Sequence, residues 1–280
     1  MRAAYGYRIP SPLQGKSNGV VMDLGIRGRS AIVCASSQGL GKGCALALAE
    51  AGVALVINGR NPDLLEQTSE EIRNAWRVPV TPVLADVSTA EGQAALLKAC
   101  PTPDILVNNN AGPPVRNFRE LDRRAILDGV TMNMVTPIEL IQKVIDSMVS
   151  RGFGRIVNIT SYSVKMPIVG LDLSSGARAG LTAFMAGVCR TVADKNVTIN
   201  NLLPGSFDTQ RLRHNLSLAA KRNQVSEAEA TARSIANIPA KRFGNPAEFG
   251  QACAFLCSVH AGFMTGQNIL LDGGAYPGAF

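Results

Sequence analysis

The chain has 280 residues, of which 46% are hydrophobic and 18% are charged, and its formal net charge is +7. This length and composition allow a full hydrophobic core and fit one large α/β domain. The sequence argues against a membrane protein, because no run of about eighteen apolar residues lacks a charge or a helix breaker. It also argues against nucleic-acid binding, because no basic run alternates with aromatic residues.

The N-terminal residues 1–22 contain scattered proline, glycine and serine, without the continuous apolar segment of a secretory signal. We expect them to form a flexible extension and residues 23–280 to form a single domain. The six cysteines lie in apolar surroundings without a CxxC pair, and the two histidines, His214 and His260, stand in polar segments. The sequence therefore predicts free thiols in a reducing cytoplasm and no metal site.

Short apolar runs rich in Val, Ile and Leu recur along the chain without strict alternation, which is typical of strands covered on both faces. They cover residues 30–35, 54–59, 80–85, 104–109, 154–160, 197–203 and 267–272. Helical segments separate them, with capping residues or an N-terminal proline at 61–63, 88–91 and 245–248. This alternation predicts an α/β fold, a doubly wound parallel sheet of about seven strands with helices on both faces.

The segment after the first strand is the first candidate for function, because doubly wound sheets bind ligands outside the carboxyl ends of their strands. Here Gly39, Gly41 and Gly43 lead into an amphipathic helix. Glycines allow a tight turn and let the N–H groups at a helix start approach a pyrophosphate. A purely structural turn is the alternative, since glycine is common in loops.

Further motifs follow in a fixed order. The segment from Cys34 to Gly41 matches the pattern TGxxxGxG, with Cys34 in place of Thr and Ala35 in place of the first Gly. After it come Asp86-Val87, Asn109-Asn110-Ala111-Gly112, Asn133, Ser161, Pro204-Gly205 with Thr209, and Asp272-Gly273-Gly274. In this order they resemble the motifs of the short-chain dehydrogenase/reductase family over about residues 24–276. Within that family the chain is most similar to the 3-oxoacyl-carrier-protein reductases.

The resemblance implies a Rossmann-type domain that binds NAD or NADP. It implies that Asp86 lies near the adenine and Thr209 near the nicotinamide carboxamide. The residues expected to contact the cofactor are Ala35, Ser37, Gln38, Gly39, Leu40, Gly41, Arg60, Asp86, Val87, Asn110, Ala111, Gly112, Arg178, Pro204, Gly205 and Thr209. For the side chains of Asn109 and Asn110, tying strand ends together is the structural alternative.

The end of the second strand bears on the choice between the two cofactors. An acidic residue there would accept hydrogen bonds from the ribose hydroxyls of NAD and repel a 2′-phosphate. The chain has Gly59-Arg60-Asn61 instead. Because an arginine offers a two-pronged donor to phosphate, the sequence predicts NADP rather than NAD. An exposed arginine before a helix cap is the alternative interpretation of Arg60.

Four positions carry the chemistry that the resemblance implies. In the family a tyrosine protonates the developing alkoxide, a lysine four residues later lowers the phenol pKa and holds the nicotinamide ribose, a serine polarises the carbonyl, and an asparagine orders a water. Ser161 and Asn133 match the serine and the asparagine. Ser174 and Arg178 stand where the tyrosine and the lysine are expected. We therefore expect the catalytic residues to be Asn133, Ser161, Ser174 and Arg178.

The two replacements leave three interpretations open, because a serine is a poor acid and an arginine keeps its proton. In the first, the protein is a reductase whose proton comes from water or from Tyr162, Lys165 or Asp172. In the second, it binds the dinucleotide without turnover, as a sensor or structural subunit. In the third, the alignment is shifted, Ser174 caps a helix and Arg178 is solvated.

Residues 206–245 occupy the position of the family's substrate lid and carry more basic than acidic residues. A solvated helix face accounts for this charge, and a surface for an anionic substrate is the alternative. The resemblance implies a small carbonyl or alcohol substrate, anionic or linked as a thioester. It also implies a homotetramer built on the helix that contains Ser174 and Arg178 and on the C-terminal strand.

Overall fold

The structure is a computed structural model that describes residues 22–278, and its strands form one parallel sheet in the order β3-β2-β1-β4-β5-β6-β7. The strands are β1 (Ser30–Val33), β2 (Ala54–Gly59), β3 (Val80–Leu84), β4 (Ile105–Asn108), β5 (Gly154–Ile159), β6 (Val197–Pro204) and β7 (Asn268–Leu271). Each coincides with a predicted apolar run, so the predicted parallel sheet is confirmed. The extension predicted at 1–22 lies outside the described residues, apart from Met22.

Helices connect the strands. They are α1 (Gly39–Glu50), α2 (Pro62–Trp76), α3 (Ala90–Ala99), α4 (Arg123–Val130), α5 (Thr136–Arg151), α6 (Asp172–Val188), α7 (Gln210–Asn223), α8 (Glu227–Ala236) and α9 (Pro246–Cys257). Three of the starts use the predicted caps: the side chains of Asn61 and Thr89 accept hydrogen bonds from the first turns of α2 and α3, and Asn245 forms a capping box with Glu248. No helix between residues 22 and 278 has the length and apolar character needed to cross a membrane.

The sheet separates two hydrophobic layers. Helices α1, α2 and α9 cover one face, where Leu48 and Phe249 are fully buried, and α3, α5 and α6 cover the other, where Leu181 is buried. Strand β1 contributes to both layers, because Val33 packs into the first and Ile32 into the second. The doubly wound arrangement follows from this alternation of apolar side chains on both faces of a strand.

A row of asparagine side chains crosses four adjacent strands. Asn108, Asn158, Asn201 and Asn268 are register partners on β4, β5, β6 and β7. The amide Nδ2 of each donates to Oδ1 of the next, at 2.9 Å, 3.0 Å and 2.8 Å. This asparagine ladder fixes the register of the four strands, because a slip of one residue would bury the amides without partners.

We expect Asn158→Val to lower the free energy of unfolding by about 3 kcal/mol, because it leaves Nδ2 of Asn108 and Oδ1 of Asn201 unpaired inside the protein. The control is Asn268→Val at the exposed end of the ladder, which leaves only one ladder group, Nδ2 of Asn201, unpaired and lowers the free energy of unfolding by about half as much. Urea denaturation of both variants measures the difference. Equal losses would show that the ladder does not stabilise the sheet.

Candidate active site

A cleft of about 680 Å³ opens at the carboxyl ends of β1 to β6, with α6 and α7 on its far side. Most of the residues expected to bind a cofactor or to act in catalysis line it. They are Ala35, Ser37, Gln38, Gly39, Leu40, Arg60, Asp86, Val87, Asn110, Ala111, Ser161, Ser174, Arg178, Pro204, Gly205 and Thr209. The parallel strand order brings these distant segments together, as expected for ligand sites in such sheets.

Two of the expected cofactor residues lie outside the cleft wall. A Cβ on Gly41 would collide with the carbonyl oxygen of Ala35 and would lie 2.9 Å from Nδ2 of Asn109, so this glycine lets α1 pack against the turn. Gly112 lies beside the cleft, where its carbonyl oxygen accepts a hydrogen bond of 3.3 Å from Arg211. Gly43 also has a packing role, because a Cβ there would collide with the carbonyl of Pro246 on α9.

The turn after β1 presents an open helix start to the cleft. Gln38 precedes α1 in an extended conformation and makes no side-chain capping hydrogen bond. Gly39 has a φ of +61°, and the nearest atom to a Cβ there would be a carbon of Thr209 at 3.7 Å, so the space above it is open. Uncapped N–H groups at a helix N-terminus attract anions.

Ala35 occupies the position where the family pattern has its first glycine, and its φ is +44°. The backbone therefore keeps the left-handed conformation that the pattern's glycine favours, although an alanine in this region is strained by about 1 kcal/mol. Its amide N donates to Oδ1 of Asn58 at 3.2 Å, and its carbonyl accepts from Nδ2 of Asn109 at 3.1 Å. Asn58 on β2 and Asn109, which directly follows β4, thus hold the strained turn in place.

Arg60 and Asp86 form an ion pair at the adjoining end of the cleft. Nη1 of Arg60 lies 3.3 Å from Oδ2 of Asp86, and the arginine side chain is 65% exposed. Partial burial of Asp86 acts to raise its pKa, but hydrogen bonds from Ser88 and the charge of Arg60 outweigh this and lower the pKa. Because the pair is exposed, the guanidinium can leave Asp86 for a stronger anion.

The amide of Asn110 ties the end of β4 to neighbouring segments. Its Nδ2 donates to Oγ of Ser88 at 2.8 Å and to the carbonyl of Met132 at 3.2 Å, and its Oδ1 accepts from the amide of Ala111 at 2.8 Å. The side chains of Asn109 and Asn110 therefore tie strand ends together, which is the alternative to a role in cofactor binding. Both residues also line the cleft.

Ser161, Ser174 and Arg178 all line the cleft. Ser161 follows β5 and its Oγ accepts from the amide of Ser163 at 3.1 Å. Ser174 and Arg178 lie one turn apart on α6, and Nη1 of Arg178 donates to Oγ of Ser174. They are only 5% and 8% exposed, and α6 begins before both of them, so the interpretation of a capping serine and a solvated arginine is wrong.

Asn133 does not line the large cleft. It lies buried in a π-helical turn (Thr131–Val135) between α4 and α5, where its Nδ2 donates to the carbonyl of Gly129 at 3.2 Å. Its side chain lines a separate small cavity beside the asparagine ladder, together with Asn108 and Asn158. A π-turn inserts an extra residue into a helix, and the spacing of apolar residues in the sequence does not reveal it.

Arg211, on α7, is the residue of the cleft that sequence reasoning missed. Its Nη2 donates to the carbonyls of Gly112 and Pro113, each at 3.3 Å, from the opposite wall. Burial lowers the pKa of Arg211, and burial together with the charge of Arg211 lowers the pKa of Arg178 to about 10. In the sequence, its location in the cleft is indicated only by its position two residues after Thr209.

The three alternative proton donors differ in position. Tyr162 lines the cleft next to Ser161, and burial together with the charge of Asp272 raises its pKa, so the phenol is protonated at neutral pH. Lys165 is exposed and lies over the ring of Tyr276, 5.6 Å from its centroid. Asp172 is exposed at the start of α6 and, like Lys165, does not line the cleft.

The segment predicted as a lid contains α7 and α8, which are separated where Gln224 has a φ of +54°. Its two ends meet, because Phe207 bridges to Gly244 and the amide of Asp208 donates to the carbonyl of Gly244 at 2.9 Å. Helix α7 contributes to the cleft wall and α8 does not. The segment is thus closed at its base and reaches the cleft through one helix.

The chain is similar in sequence to a family of reductases. The family model described as "Enoyl-(Acyl carrier protein) reductase" matches residues 34–276. The NADPH-dependent reductase BacG of Bacillus subtilis (strain 168) is 32% identical over 252 residues, which cover 88% of this chain and 97% of that protein. The 3-oxoacyl-[acyl-carrier-protein] reductase FabG of Aquifex aeolicus (strain VF5) is 29% identical over 262 residues, covering 91% and 100%.

Solved structures show the same architecture. YwfH, an NADPH-dependent reductase involved in bacilysin biosynthesis, aligns with a TM-score of 0.84 at 31% identity, over 89% of this chain and 99% of that chain. L-sorbose reductase from Gluconobacter frateurii, complexed with NADPH and L-sorbose, aligns with a TM-score of 0.86 at 26% identity, over 91% and 98%. Because the agreement covers most of the chain in both sequence and fold, this protein belongs to the short-chain dehydrogenase/reductase family.

Proposed function

We propose that this oxidoreductase transfers hydride between NADP(H) and a carbonyl or alcohol substrate, as a 3-oxoacyl reductase-like enzyme with an atypical active site. The observation that carries the proposal is a single cleft that holds both the open start of α1 and the cluster of Ser161, Ser174 and Arg178. Relatives named as NADPH-dependent reductase and as 3-oxoacyl-[acyl-carrier-protein] reductase support it.

The residues of the cleft fit the parts of NADP(H). The uncapped start of α1 and the open space at Gly39 would hold the pyrophosphate. Arg60 would hold the 2′-phosphate, which can draw the exposed guanidinium from Asp86. Thr209 and Arg178 would hold the nicotinamide end, and NADPH supplies the hydride when bound.

The two serine hydroxyls are oriented to act as donors toward a substrate. Oγ of Ser161 already accepts from the amide of Ser163, and Oγ of Ser174 accepts from Arg178. A hydroxyl that accepts from the protein keeps its own proton for another acceptor. Both serines can therefore donate to the carbonyl oxygen of a substrate, and the charge of Arg178 stabilises the negative charge that develops there.

The proton that completes an alcohol has two sources under this proposal. Tyr162 lines the cleft and holds its phenol proton at neutral pH, so it is the side chain best placed to donate. Water entering the cleft is the other source. Lys165 and Asp172 are weaker candidates because neither lines the cleft.

A dinucleotide-binding protein without turnover, acting as a sensor or structural subunit, is the second candidate function. The replacement of the family's phenol and amine by Ser174 and Arg178 favours it, since charge stabilisation is kept while the usual acid is lost. NADPH binding is common to both candidates, and turnover separates them.

The remaining proposals concern the context of this site. Residues 23–280 form one NAD(P)-binding domain, and segment 206–245 acts as its lid, with α7 reaching the cleft. Assembly is a homotetramer through α6 and β7, supported by Phe184, which is 46% exposed on α6. A cytoplasmic location is supported by six cysteines that all carry free thiols.

The cost of the buried charge supports a functional role for Arg178. Arg155 is also buried, but its guanidinium donates to the carbonyls of Gly154, Asn196 and Ser258 and to Oδ1 of Asn196. Among the residues that the structure describes, the Arg178 guanidinium donates to Ser174 alone, and it faces the repulsion of Arg211. A buried charge with so few partners destabilises a fold.

We expect Arg178→Met to leave the free energy of unfolding unchanged or to raise it by about 1 kcal/mol, because it removes a charge with few partners. The matched variant, Arg155→Met, lowers the free energy of unfolding by about 3 kcal/mol, because it leaves several buried carbonyls unpaired. Urea denaturation of each variant is the measurement. A loss at Arg178 as large as that at Arg155 would assign Arg178 to the scaffold.

We expect Arg60→Ala to raise the dissociation constant for NADPH about tenfold or more and to change that for NADH less than about threefold, because only NADPH carries the phosphate. Fluorescence of the reduced nicotinamide on titration gives both constants. Arg73→Ala on α2, where the guanidinium binds Glu66 and the carbonyl of Val80, is the control and leaves both unchanged. Equal weakening of the two cofactors would contradict a role in binding the 2′-phosphate.

We expect Ser174→Ala to lower kcat for NADPH-dependent carbonyl reduction by a factor of about 10 to 100, because it removes one donor to the developing alkoxide. The substrates are a panel of ketones, 3-oxoacyl thioesters and quinones, followed by NADPH oxidation. The control is Ser175→Ala, since the Ser175 hydroxyl donates within α6 to the carbonyl of Leu171. If NADPH binds and no substrate of the panel is reduced, the non-catalytic candidate is favoured; if Ser174→Ala keeps full activity, Ser174 has no part in turnover.

A further inference from the structure

Two arginines at the substrate end of the cleft have no acidic partner. Arg178 and Arg211 line this end, and neither forms an ion pair with any residue between 22 and 278. Their neighbours differ: Arg60 is paired with Asp86, and Arg213 on α7 is paired with Asp208 at 2.8 Å. Arg213, on the same helix as Arg211, thus has its charge paired within the protein, whereas Arg178 and Arg211 do not among the described residues.

Most of the donors of these two guanidinium groups are unused within the described chain. Arg178 donates through Nη1 alone, to Ser174, and Arg211 donates through Nη2 alone, over 3.3 Å, to two backbone carbonyls. Both are close enough to each other for the charge of Arg211 to lower the pKa of Arg178. An anion between them would relieve this repulsion and accept the remaining donors.

The turn that contains Gly112 makes room for Arg211. A Cβ at Gly112 would lie 2.9 Å from Nη2 and 3.0 Å from Nη1 of Arg211, so a side chain here would displace the guanidinium from this turn. The arginine lies at the cleft wall, where its side chain is exposed to solvent in the cleft. The Nε and Nη1 donors of Arg211 are unused there. They are therefore available to bind the two oxygens of a planar acceptor such as a carboxylate.

The cofactor does not supply the missing anion under the proposed function. The charged residues of the described chain that line the cleft are Arg60, Asp86, Arg178 and Arg211. The 2′-phosphate would use Arg60, and the pyrophosphate would use the start of α1. The nicotinamide and its ribose, which would lie near Arg178, carry no negative group, so the two arginines remain without a counter-charge when the cofactor is present.

We propose that the substrate is an oxo acid, a carbonyl compound that carries its own carboxylate, and that Arg211 binds this carboxylate while Arg178 and Ser174 face the reacting carbonyl. This inference rests on the proposed function and narrows its substrate to one chemical class. A carboxylate presents two charged oxygens to the two-pronged donor of an arginine, so it binds there better than a neutral carbonyl does. A thioester would lack the charge at this position.

The first test is turnover of matched pairs, each an oxo acid and its methyl ester, by the NADPH-bound enzyme. We expect the wild type to prefer the acid by at least 100-fold in kcat/KM. Arg211→Gln lowers kcat/KM for the acid by about the same factor, mainly through KM, and changes that for the ester less than threefold. Arg211→Lys, which keeps the charge and loses the fork, is intermediate, and Arg213→Gln, on the same helix but paired with Asp208, behaves as wild type.

The second test separates this inference from the proposed function. Unreactive dicarboxylates from malonate to adipate are titrated by calorimetry into the NADPH complex of the wild type and of Arg211→Gln. We expect at least one to bind, with a dissociation constant at least tenfold weaker in the variant and an unchanged affinity for NADPH. Binding without turnover of any oxo acid would support the anion site and count against the reductase. Equal turnover of acids and esters, or equal binding by both proteins, would overturn the inference while leaving the reductase proposal intact.

Discussion

The asparagine ladder is the constraint on which the site depends. Its four amides fix the register of β4 to β7. The segments that follow those strands therefore leave the sheet at the same edge. Asn110, Ser161 and Gly205 reach the same cleft for this reason. Hydrophobic layers alone would not set that register so sharply, since apolar contacts are non-directional, whereas a buried amide tolerates few arrangements.

The chain uses buried arginine in two opposite ways. Around Arg155 the protein supplies a full set of acceptors, and the charged side chain becomes a brace between β5 and the segments at Asn196 and Ser258. Around Arg178, between residues 22 and 278, it supplies one side-chain acceptor, Ser174, and no acid. The first arrangement is complete in the protein by itself, while the second leaves most donors of the guanidinium without a partner among the described residues. Residue type and burial alone do not distinguish these two arginine environments. The number of hydrogen-bond partners of the guanidinium distinguishes them.

The parts predicted from the sequence were those with local signals. Apolar runs marked every strand, capping residues marked helix starts, and motif order placed Ser161, Ser174 and Arg178 in one cleft. The parts that the sequence did not reveal depend on distant pairing. Asn133, whose predicted role is to order a water, lies in a π-turn against the asparagine ladder, and that role stays a prediction. Arg211 looked like one basic residue among several until the fold placed it opposite Gly112. Gly41 and Gly43 fitted a cofactor turn by spacing, and the fold also gives both a packing role.

At Ala35 the backbone keeps the left-handed conformation although the glycine that usually favours it is absent. The left-handed backbone that a glycine favours is present here in an alanine, held by the side-chain amides of Asn58 on β2 and of Asn109 just after β4. A search by residue letters loses this turn at its first glycine, whereas a search by backbone torsion angles finds it. Where strand partners can hold a strained turn, the torsion angles at such positions identify distant relatives more dependably than the amino acids do.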